Sequence, residues 1–287
     1  MSGERDSQRG SQGDAVVRLD EVKEYWDSRS PGLRHSKHDV GSAEFLDEIE
    51  KVRYGNILNY KYLLDVAEFD LHSGESVLEV GVGLGTDLLQ FAKNDSKVSG
   101  IDLAPRAVEL TRERFRLAGL EADLRQASFT EIPFDAGSFD VVYSFGVLHH
   151  SAETQQGIDE IFRVLKPGGR IIVMLYHKGF KYYVRKLFLY GVLKGELLRS
   201  SVQEIINRHS EDFGESPLTK VYTRREARRM FERFDDLSLK SYRLDDYLPF
   251  RGRHISPSRI FLPAAAYRAL ENLLGWNLVI KGNKPRS

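Results

Sequence analysis

The stretch from Ser76 to Asp87, SVLEVGVGLGTD, places the strongest constraint on how this chain folds. Its first residues are apolar and partly β-branched, which is typical of a strand that helices bury on both faces. Glycine then occupies every second position, at Gly81, Gly83 and Gly85, before an amphipathic segment begins at Thr86. Such a loop lets a ligand approach the backbone closely and meet the unpaired N–H groups of a helix. The stretch therefore predicts a ligand-binding turn at the carboxyl end of a buried strand.

The spacing of these glycines separates the loop from two phosphate-binding loops. The dinucleotide fingerprint is G-x-G-x-x-G, whereas Gly85 comes one residue early, and no Lys-Ser/Thr pair follows as in a P-loop. Seventeen residues after Gly85, a second apolar strand ends in Asp102. An acidic residue at that place can accept hydrogen bonds from both ribose hydroxyls. The pattern favours a nucleoside ligand that has no pyrophosphate.

Five motifs in succession resemble those of the class I S-adenosylmethionine (SAM)-dependent methyltransferases, over roughly residues 73–175. They are Val77 to Asp87, GIDL at 100–103, EIPF at 131–134, FDVVYS at 139–144 and LKPGGR at 165–170. The most similar subgroup includes the ubiquinone and menaquinone C-methyltransferases and many small-molecule methyltransferases. The resemblance implies a Rossmann-like α/β fold, with a seven-stranded, mostly parallel sheet that contains one antiparallel strand. It also implies SAM as the cofactor and no metal.

Composition and apolar spacing divide the chain into five predicted segments. Residues 1–15 are polar and predict a disordered tail, and residues 16–72, with apolar side chains at helical intervals, correspond to a helical lid in the family. Residues 73–178 form the predicted SAM-binding core. Residues 179–222 are a second helical lid inserted after strand five. Residues 223–287 supply the last helix and strands, with another insertion after strand six.

The segment Lys178–Arg199 predicts one basic amphipathic helix, because aromatic and aliphatic residues alternate there with Lys and Arg. Its aromatic face could line a hydrophobic acceptor pocket, or the helix could make peripheral contact with an anionic membrane. The commonest arrangement of such a helix is neither of these, since it packs apolar residues on the core and turns its charges outward.

The composition of the whole chain limits the classes of partner that we expect it to bind. Lys and Arg together number 42, as do Asp and Glu, so no overall positive field attracts nucleic acid. The loop after strand four reads Ser144-Phe145-Gly146-Val147 instead of the Asn/Asp-Pro-Pro-Tyr/Phe of amino-directed nucleic-acid methyltransferases, so a nucleic-acid substrate is unlikely. The lack of cysteine excludes disulfides and thiolate metal sites. Without a signal peptide or a membrane-spanning apolar run, the sequence predicts a cytoplasmic protein; it does not indicate an oligomeric state.

The resemblance assigns cofactor contacts to the strand ends. Gly81, Gly83 and Gly85 would hold the amino acid part of SAM, Asp102 its ribose, and Glu79 would order the loop or contact the methionine ammonium through water. The predicted contacts also include Leu103, Ser128, Phe129, Ser144 and Phe145. Ser128 departs from the family, which usually has an aspartate there for the adenine amine. Asp87 is interpreted as a first-turn acid favoured by the helix dipole.

Histidines are the candidate general bases, because an imidazole titrates near neutral pH. His149 and His150 follow strand four and His177 follows strand five, although His149 and His150 could instead only shape their loop. The predicted substrate contacts are Tyr25, Arg34, His35 and Tyr176.

We expect methyl transfer from SAM to a small organic acceptor that is partly apolar or aromatic. Two alternatives stay open: a membrane-surface enzyme that acts on a lipid or quinone-like acceptor, and a SAM-binding protein without catalytic activity.

Overall fold

The computed structural model describes residues 19–29, 33–55, 60, 62–179, 183–211, 214–244, 248–250, 253–255 and 262–286. The strands are β1 Ser76–Val80, β2 Lys97–Asp102, β3 Asp123–Gln126, β4 Phe139–Phe145, β5 Leu165–Tyr176, β6 Asp235–Tyr242, β7 Leu248–Phe250, β8 Arg253–Ile255 and β9 Asn277–Asn283. The helices are α1 Leu19–Ser28, α2 Ala43–Tyr54, α3 Leu63–Val66, α4 Thr86–Lys93, α5 Pro105–Ala118, α6 Thr154–Val164, α7 Val202–Ser210, α8 Arg224–Met230 and α9 Ala264–Leu274.

Seven strands form one sheet in the order β3-β2-β1-β4-β5-β9-β6. The first five strands pair in parallel, and β9 runs antiparallel to both of its neighbours, β5 and β6. The strand order reverses between β2-β1 and β4-β5, which leaves a crevice at the carboxyl ends of β1 and β4. The predicted α/β fold, mostly parallel with one antiparallel strand, is confirmed.

Two local expectations differ from the structure in the second half of the sheet. The sequence Pro167-Gly168-Gly169 predicts a turn before a strand that begins at Arg170, but β5 begins at Leu165. The turn residues are held in the sheet because the Gly168 amide donates to the Lys284 carbonyl at 2.8 Å. Pro249 and Pro257 predict a loop over residues 245–258, yet β7 and β8 form a two-stranded antiparallel ladder within that range.

The prediction of one helix over Lys178–Arg199 is wrong. Lys178 pairs with the backbone of Tyr222, a π-helix covers Leu187–Leu193, and a separate 3-10 turn covers Glu196–Leu198. Gly195 interrupts the segment, because its φ of 72° is a left-handed conformation that glycine adopts at little cost. Within the described ranges, no helix is long and apolar enough to cross a bilayer.

The N-terminal helices pack on the glycine loop through a small apolar cluster of Phe45, Leu46, Ile49 and Leu84. Arg114 on α5 is buried beside it and donates to the carbonyls of Leu84, at 2.6 Å, and of Leu46, at 3.1 Å. These bonds give the carbonyls of Leu84 and Leu46 a charged donor that comes from α5. One side chain thus joins α2 to the loop after β1.

Gly85 is a residue of the loop whose replacement by alanine we expect to lower the free energy of unfolding. It caps α4 at a φ of 68°, and a Cβ there would lie 2.6 Å from the Thr111 methyl group. Gly119, at a φ of 66°, has open space around it and serves as the matched control. Gly85→Ala should lower the free energy of unfolding by about 2–4 kcal/mol, from left-handed strain plus overpacking, and Gly119→Ala by about 1–2 kcal/mol, from strain alone. Urea unfolding followed by circular dichroism measures both; equal losses would contradict the Thr111 collision.

Candidate active site

A cavity of about 270 Å³ lies at the carboxyl ends of β1, β2, β4 and β5. The glycine loop and Asp102 line it, and so do His150, Tyr176 and Trp276, whose neighbouring rings form its aromatic end. Because parallel strands bring their carboxyl ends to one edge of a sheet, residues distant in sequence meet there. The cavity is therefore continuous from the loop to the aromatic end.

Asp102 holds the glycine loop in place. Its Oδ2 accepts a hydrogen bond from the Gly83 amide at 3.0 Å, and its Oδ1 accepts one from the Ala104 amide at 2.9 Å. Burial raises the pKa of Asp102, and the amide hydrogen bonds partly oppose that rise. Asp102 thus presents a carboxylate to the cavity from a fixed position.

The three glycines of the loop have different surroundings. Gly81 and Gly83 line the cavity, and both have positive φ, 83° and 53°. A Cβ on Gly81 would lie 2.2 Å from a Val147 methyl group, whereas one on Gly83 would meet no atom within 4 Å. Gly85 is not among the lining residues, because it faces Thr111 on α5. The ligand-facing backbone is therefore that of Gly81 and Gly83.

Glu79 is buried under the loop, and its Oε2 has no hydrogen-bond partner in the part of the chain that the structure describes. Burial, together with the negative charge of Asp87, raises the pKa of Glu79 well above its ordinary value. The residue lines the cavity, so its unpaired oxygen is available to a hydrogen-bond donor on a ligand.

Asp87 is the centre of a network that the sequence interpretation missed. Its carboxylate accepts two hydrogen bonds from the Arg53 guanidinium, one from the Tyr54 hydroxyl at 2.7 Å and one from the Tyr143 hydroxyl at 2.6 Å. Burial alone would raise the pKa of Asp87, but the Arg53 charge and these bonds hold it below the ordinary value. The helix-dipole interpretation is incomplete, because Asp87 pairs with a residue from α2. The sequence signal that could have indicated this partner is the presence of basic residues, Lys51 and Arg53, in α2.

The residues after β2 and β3 form one wall of the cavity. Leu103, Ser128 and Phe129 all line it. The Ser128 hydroxyl lies 2.7 Å from that of Thr130, so this side chain is engaged within its own turn. The Phe129 ring packs against Gly157 of α6, where a Cβ would lie 2.3 Å from the ring. This wall is a flat, partly apolar surface without an acidic side chain at position 128.

His149 and His150 have opposite surroundings. His150 lines the cavity, and its Nδ1 donates to the Leu218 carbonyl at 3.0 Å. Because a carbonyl only accepts, the neutral ring of His150 has its lone pair on Nε2. His149 lies behind it against Tyr176, with ring centroids 3.8 Å apart, and neither ring nitrogen has a partner among the described residues. Burial and the neighbouring His150 hold the pKa of His149 well below its usual range.

The other residues predicted near strands four and five are divided between the cavity and the core. Phe145 and Tyr176 line the cavity. The Ser144 hydroxyl is buried and donates to the Val80 carbonyl at 3.1 Å, so it joins β4 to β1 beneath the cavity floor. His177 is turned away, with Nδ1 donating to the Gly275 carbonyl at 2.9 Å, and burial lowers its pKa.

The N-terminal helices place some of the predicted substrate contacts at the cavity. Trp26 and His35 line it, and the Trp26 ring lies 4.8 Å from that of His150. Tyr25 packs edge-on against Trp26 and is not among the lining residues; burial and the Glu211 charge raise its pKa to about 12. The side chain of Arg34 lies outside the described residues.

Several lining residues had no sequence signal. Arg243 follows β6, donates to the Tyr60 hydroxyl at 2.9 Å and stacks over the Tyr60 ring at 4.7 Å. Glu211 follows α7, and Trp276 precedes β9. All of them reach the cavity from the second half of the chain, where the motif pattern ends. Within the described ranges, no group of three His, Cys, Asp or Glu residues is arranged to hold a metal ion.

The central part of this chain is similar in sequence to known methyltransferases. A family model described as "Methyltransferase domain" matches residues 78–173. A demethylmenaquinone methyltransferase of Clavibacter sepedonicus is 40% identical over 103 residues, which are 35% of this chain and 41% of that protein. A 27-O-demethylrifamycin SV methyltransferase of Amycolatopsis mediterranei is 34% identical over 104 residues, 35% of this chain and 38% of that protein. The matches therefore span well under half of either relative.

A solved structure extends the likeness to the fold. The structure of a SAM-dependent methyltransferase from Thermotoga maritima, described as a possible histamine N-methyltransferase, superposes with a TM-score of 0.52. It is 16% identical and covers 84% of this chain and 97% of that one. At this identity the likeness shows the fold alone, that of a Rossmann-like methyltransferase.

Glu79 gives a prediction about pH. Because its folded pKa is raised, the folded protein keeps a proton that the unfolded chain releases above about pH 4.3. Glu79 therefore costs stability as the pH rises from that value towards the folded pKa. Glu79→Gln should be more stable than the natural chain by about 1 kcal/mol or more at pH 7, and the gain should vanish below pH 4. Thermal unfolding across this range measures the gain, with the exposed Glu131→Gln as control; a gain independent of pH would contradict the explanation.

Proposed function

We propose that this chain, whose residues 78–173 match the methyltransferase-domain family model, is a class I SAM-dependent methyltransferase that transfers the methyl group of SAM to a small organic acceptor, partly apolar or aromatic. The observation that carries the proposal is that one cavity contains both the glycine loop with Asp102 and an aromatic end with His150. A cofactor at the first end and an acceptor at the second would share one enclosed volume.

The residues present at the loop fit SAM. Asp102 offers carboxylate oxygens to the ribose hydroxyls, and the unpaired Oε2 of Glu79 suits a donor such as the methionine ammonium. Gly81 and Gly83 leave the backbone open to the methionine part, and Leu103 with Phe129 bounds a flat space for adenine. When bound, SAM supplies a methyl group on a sulfonium, which is electrophilic without covalent activation by the protein.

The contribution of the protein is position and the exclusion of water. Trp26, Tyr176 and Trp276 line the aromatic end of the cavity. Holding a nucleophile in line with a bound methyl group can supply roughly 7–11 kcal/mol of the barrier. We propose that the N-terminal helices act as the lid that completes this enclosure, because they contribute Val22, Trp26, Ile49 and Arg53 to its wall.

Among the three candidate bases, we propose His150. It alone of the three lines the cavity, and its Nδ1 hydrogen bond leaves the Nε2 lone pair free to accept a proton. His149 then supports the ring of His150 from behind, at a centroid distance of 4.3 Å, and His177 supports the backbone near Gly275.

Methyl transfer is tested directly with isotopically labelled SAM. The protein should convert at least one compound of a metabolite extract into a product that is heavier by the labelled methyl group, detected by mass spectrometry. His150→Gln should lower the rate by roughly 10²–10⁴-fold, the usual contribution of a general base. Binding of SAM with no labelled product from any extract would instead support the non-catalytic alternative.

The ribose assignment has a test of its own. Asp102→Ala should weaken SAM binding by about 1–3 kcal/mol, because two amides and the ribose hydroxyls lose their acceptor. Asp123→Ala, on the exposed end of the neighbouring strand, is the matched control. Isothermal titration calorimetry measures both affinities, and an unchanged affinity in Asp102→Ala would reject the assignment.

A second candidate is an enzyme that takes a lipid or quinone-like acceptor from a membrane surface. It is favoured by a run of exposed apolar side chains in the insertion after β5: Val184, Phe188, Val192, Leu193 and Leu198. Adjacent apolar side chains that face solvent commonly mark a contact surface. The likeness to a demethylmenaquinone methyltransferase, whose name gives a quinone acceptor, points the same way.

Vesicle binding separates this candidate from the first. Phe188 and Leu198 are 56% and 88% exposed, and burying each in a bilayer would contribute about 1.5–3 kcal/mol. If the candidate is right, the protein co-sediments with vesicles that contain phosphatidylserine, and Phe188→Ser with Leu198→Ser reduces the bound fraction at least tenfold. Leu71→Ser, exposed to 67% but distant in sequence, should have no effect. No binding of the natural chain removes the candidate.

A further inference from the structure

Beside His150, the cavity contains a carboxylate that no part of the function above uses. Glu211 lines the cavity directly after α7, and its side chain is nine-tenths buried. Its Oε1 has no hydrogen-bond partner among the residues that the structure describes, and it lies 3.8 Å from Nε2 of His150. A buried carboxylate oxygen without a donor is costly, so such an atom calls for a ligand.

The two facing atoms are both hydrogen-bond acceptors. The Leu218 carbonyl fixes the hydrogen of the neutral His150 ring on Nδ1, and the Thr219 hydroxyl oxygen lies 3.4 Å from the same nitrogen. Nε2 therefore presents a lone pair, and Glu211 presents a carboxylate oxygen, to the same point of the cavity. While the ring is neutral, a group with hydrogen to donate satisfies both atoms at once.

The groups that surround this pair explain why the ring stays neutral until it reacts. Burial lowers the pKa of His150, which Glu211 and the Leu218 carbonyl partly offset. Of the described titratable groups, His149 and Tyr176 face the ring from behind, and Tyr25 lies near enough to Glu211 for its pKa to be raised. Trp26 covers the open side of the ring at 4.8 Å.

We infer that Nε2 of His150 and Oε1 of Glu211 together bind a hydroxyl or amino group of the acceptor, and that this group is the one methylated. The inference rests on the proposed methyltransferase function and adds the class of acceptor. Glu211 acts as a positioning residue, which orients the donor group and balances the charge that forms on His150.

The step balances in atoms and charge. The lone pair of the acceptor oxygen or nitrogen forms a bond to the methyl carbon, and the bond from that carbon to sulfur breaks with its electron pair left on sulfur. The hydrogen of the hydroxyl or amino group passes as a proton to Nε2. The resulting imidazolium lies beside the Glu211 carboxylate, so the ion pair forms at the moment the proton arrives.

The pair is tested first without any acceptor. Proton–nitrogen NMR of histidine-labelled protein, with the His150 signal assigned by its loss in His150→Gln, reports the tautomer and the pKa of that ring. We expect the Nδ1–H tautomer, and in Glu211→Gln a pKa that is lower by about one unit, because an opposite charge at this distance is removed. Glu215→Gln is the control, since the Glu215 side chain is 61% exposed and contacts Arg208. An Nε2–H tautomer, or an unchanged pKa in Glu211→Gln, would overturn the inference.

The acceptor class is tested with labelled SAM and matched pairs of model compounds. One arm uses aromatic amines and their dialkylated forms, and the other uses phenols and their ethers. Product from amines or phenols but not from their capped forms supports the inference, and the arm that reacts tells nitrogen from oxygen. Product from the capped forms at equal rates, or methylation at carbon alone, overturns it.

The kinetics of Glu211 variants distinguish a failure of the proposed Glu211 role from a failure of the proposed methyltransferase function. With a reacting acceptor, Glu211→Gln should lower kcat about tenfold and move the acid limb of the pH profile to lower pH, while Glu211→Asp restores part of the rate. A variant with unchanged kcat and an unchanged acid limb removes Glu211 from the mechanism but leaves the methyltransferase intact. If the natural chain binds SAM and methylates nothing, the proposed function fails and the acceptor class fails with it, whereas the NMR result still decides the pair.

Discussion

The rest of the site depends on the hydrogen bonds that the buried carboxylate of Asp87 accepts. It lies in the first turn of α4, directly after the glycine loop, and accepts hydrogen bonds from Arg53 and Tyr54 of α2 and from Tyr143 of β4. One buried acid thus joins the N-terminal helices, the loop and the centre of the sheet. Removing one partner of such a pair leaves an uncompensated charge in the interior. Substituting Arg53 or Asp87 alone is therefore expected to destabilise the fold strongly.

Three of the acids that line the cavity, Asp87, Asp102 and Glu79, differ in pKa because their partners differ. Asp87 has a guanidinium and two phenols, so its pKa lies below the ordinary value. Asp102 has only backbone amides, which do not fully offset burial, and its pKa is raised. Glu79 has an unpaired oxygen and lies near the charge of Asp87, so its pKa is raised furthest above that of a free carboxyl group. The cavity can therefore meet a cation or a donor at Glu79 without carrying three negative charges.

The sequence was sufficient for the parts of the structure that depend on local pattern. Alternating glycines and a strand-end acid predicted the ligand-binding loop at the end of a buried strand, and the motif resemblance implied the sheet. The run Thr223-Arg224-Arg225-Glu226 is typical of a capping box, and α8 begins at Arg224 with Thr223 as its N-cap. These features are set by residues a few positions apart, so a single sequence contains them.

What the sequence could not give is set by contacts between distant residues. Arg53 and Asp87 are 34 positions apart, and nothing local distinguishes Arg53 from Lys51, the other basic residue of α2. The two adjacent histidines looked equivalent, yet the carbonyl of Leu218, 68 positions away, orients His150 while His149 is enclosed by aromatic rings. The aromatic and basic residues after Lys178 suggested one helix, but Gly195 and the backbone pairing of Lys178 with Tyr222 break it.

The place of β9 in the sheet has a consequence for how the chain folds during synthesis. This strand follows all the others in sequence, yet it lies between β5 and β6 and pairs with both. While the ribosome is still making the preceding residues, β5 has an unpaired edge and β6 has no neighbour to join. Both edges are exposed to pairing with other chains until residues 277–283 emerge, so aggregation through these two edges is favoured before β9 is made.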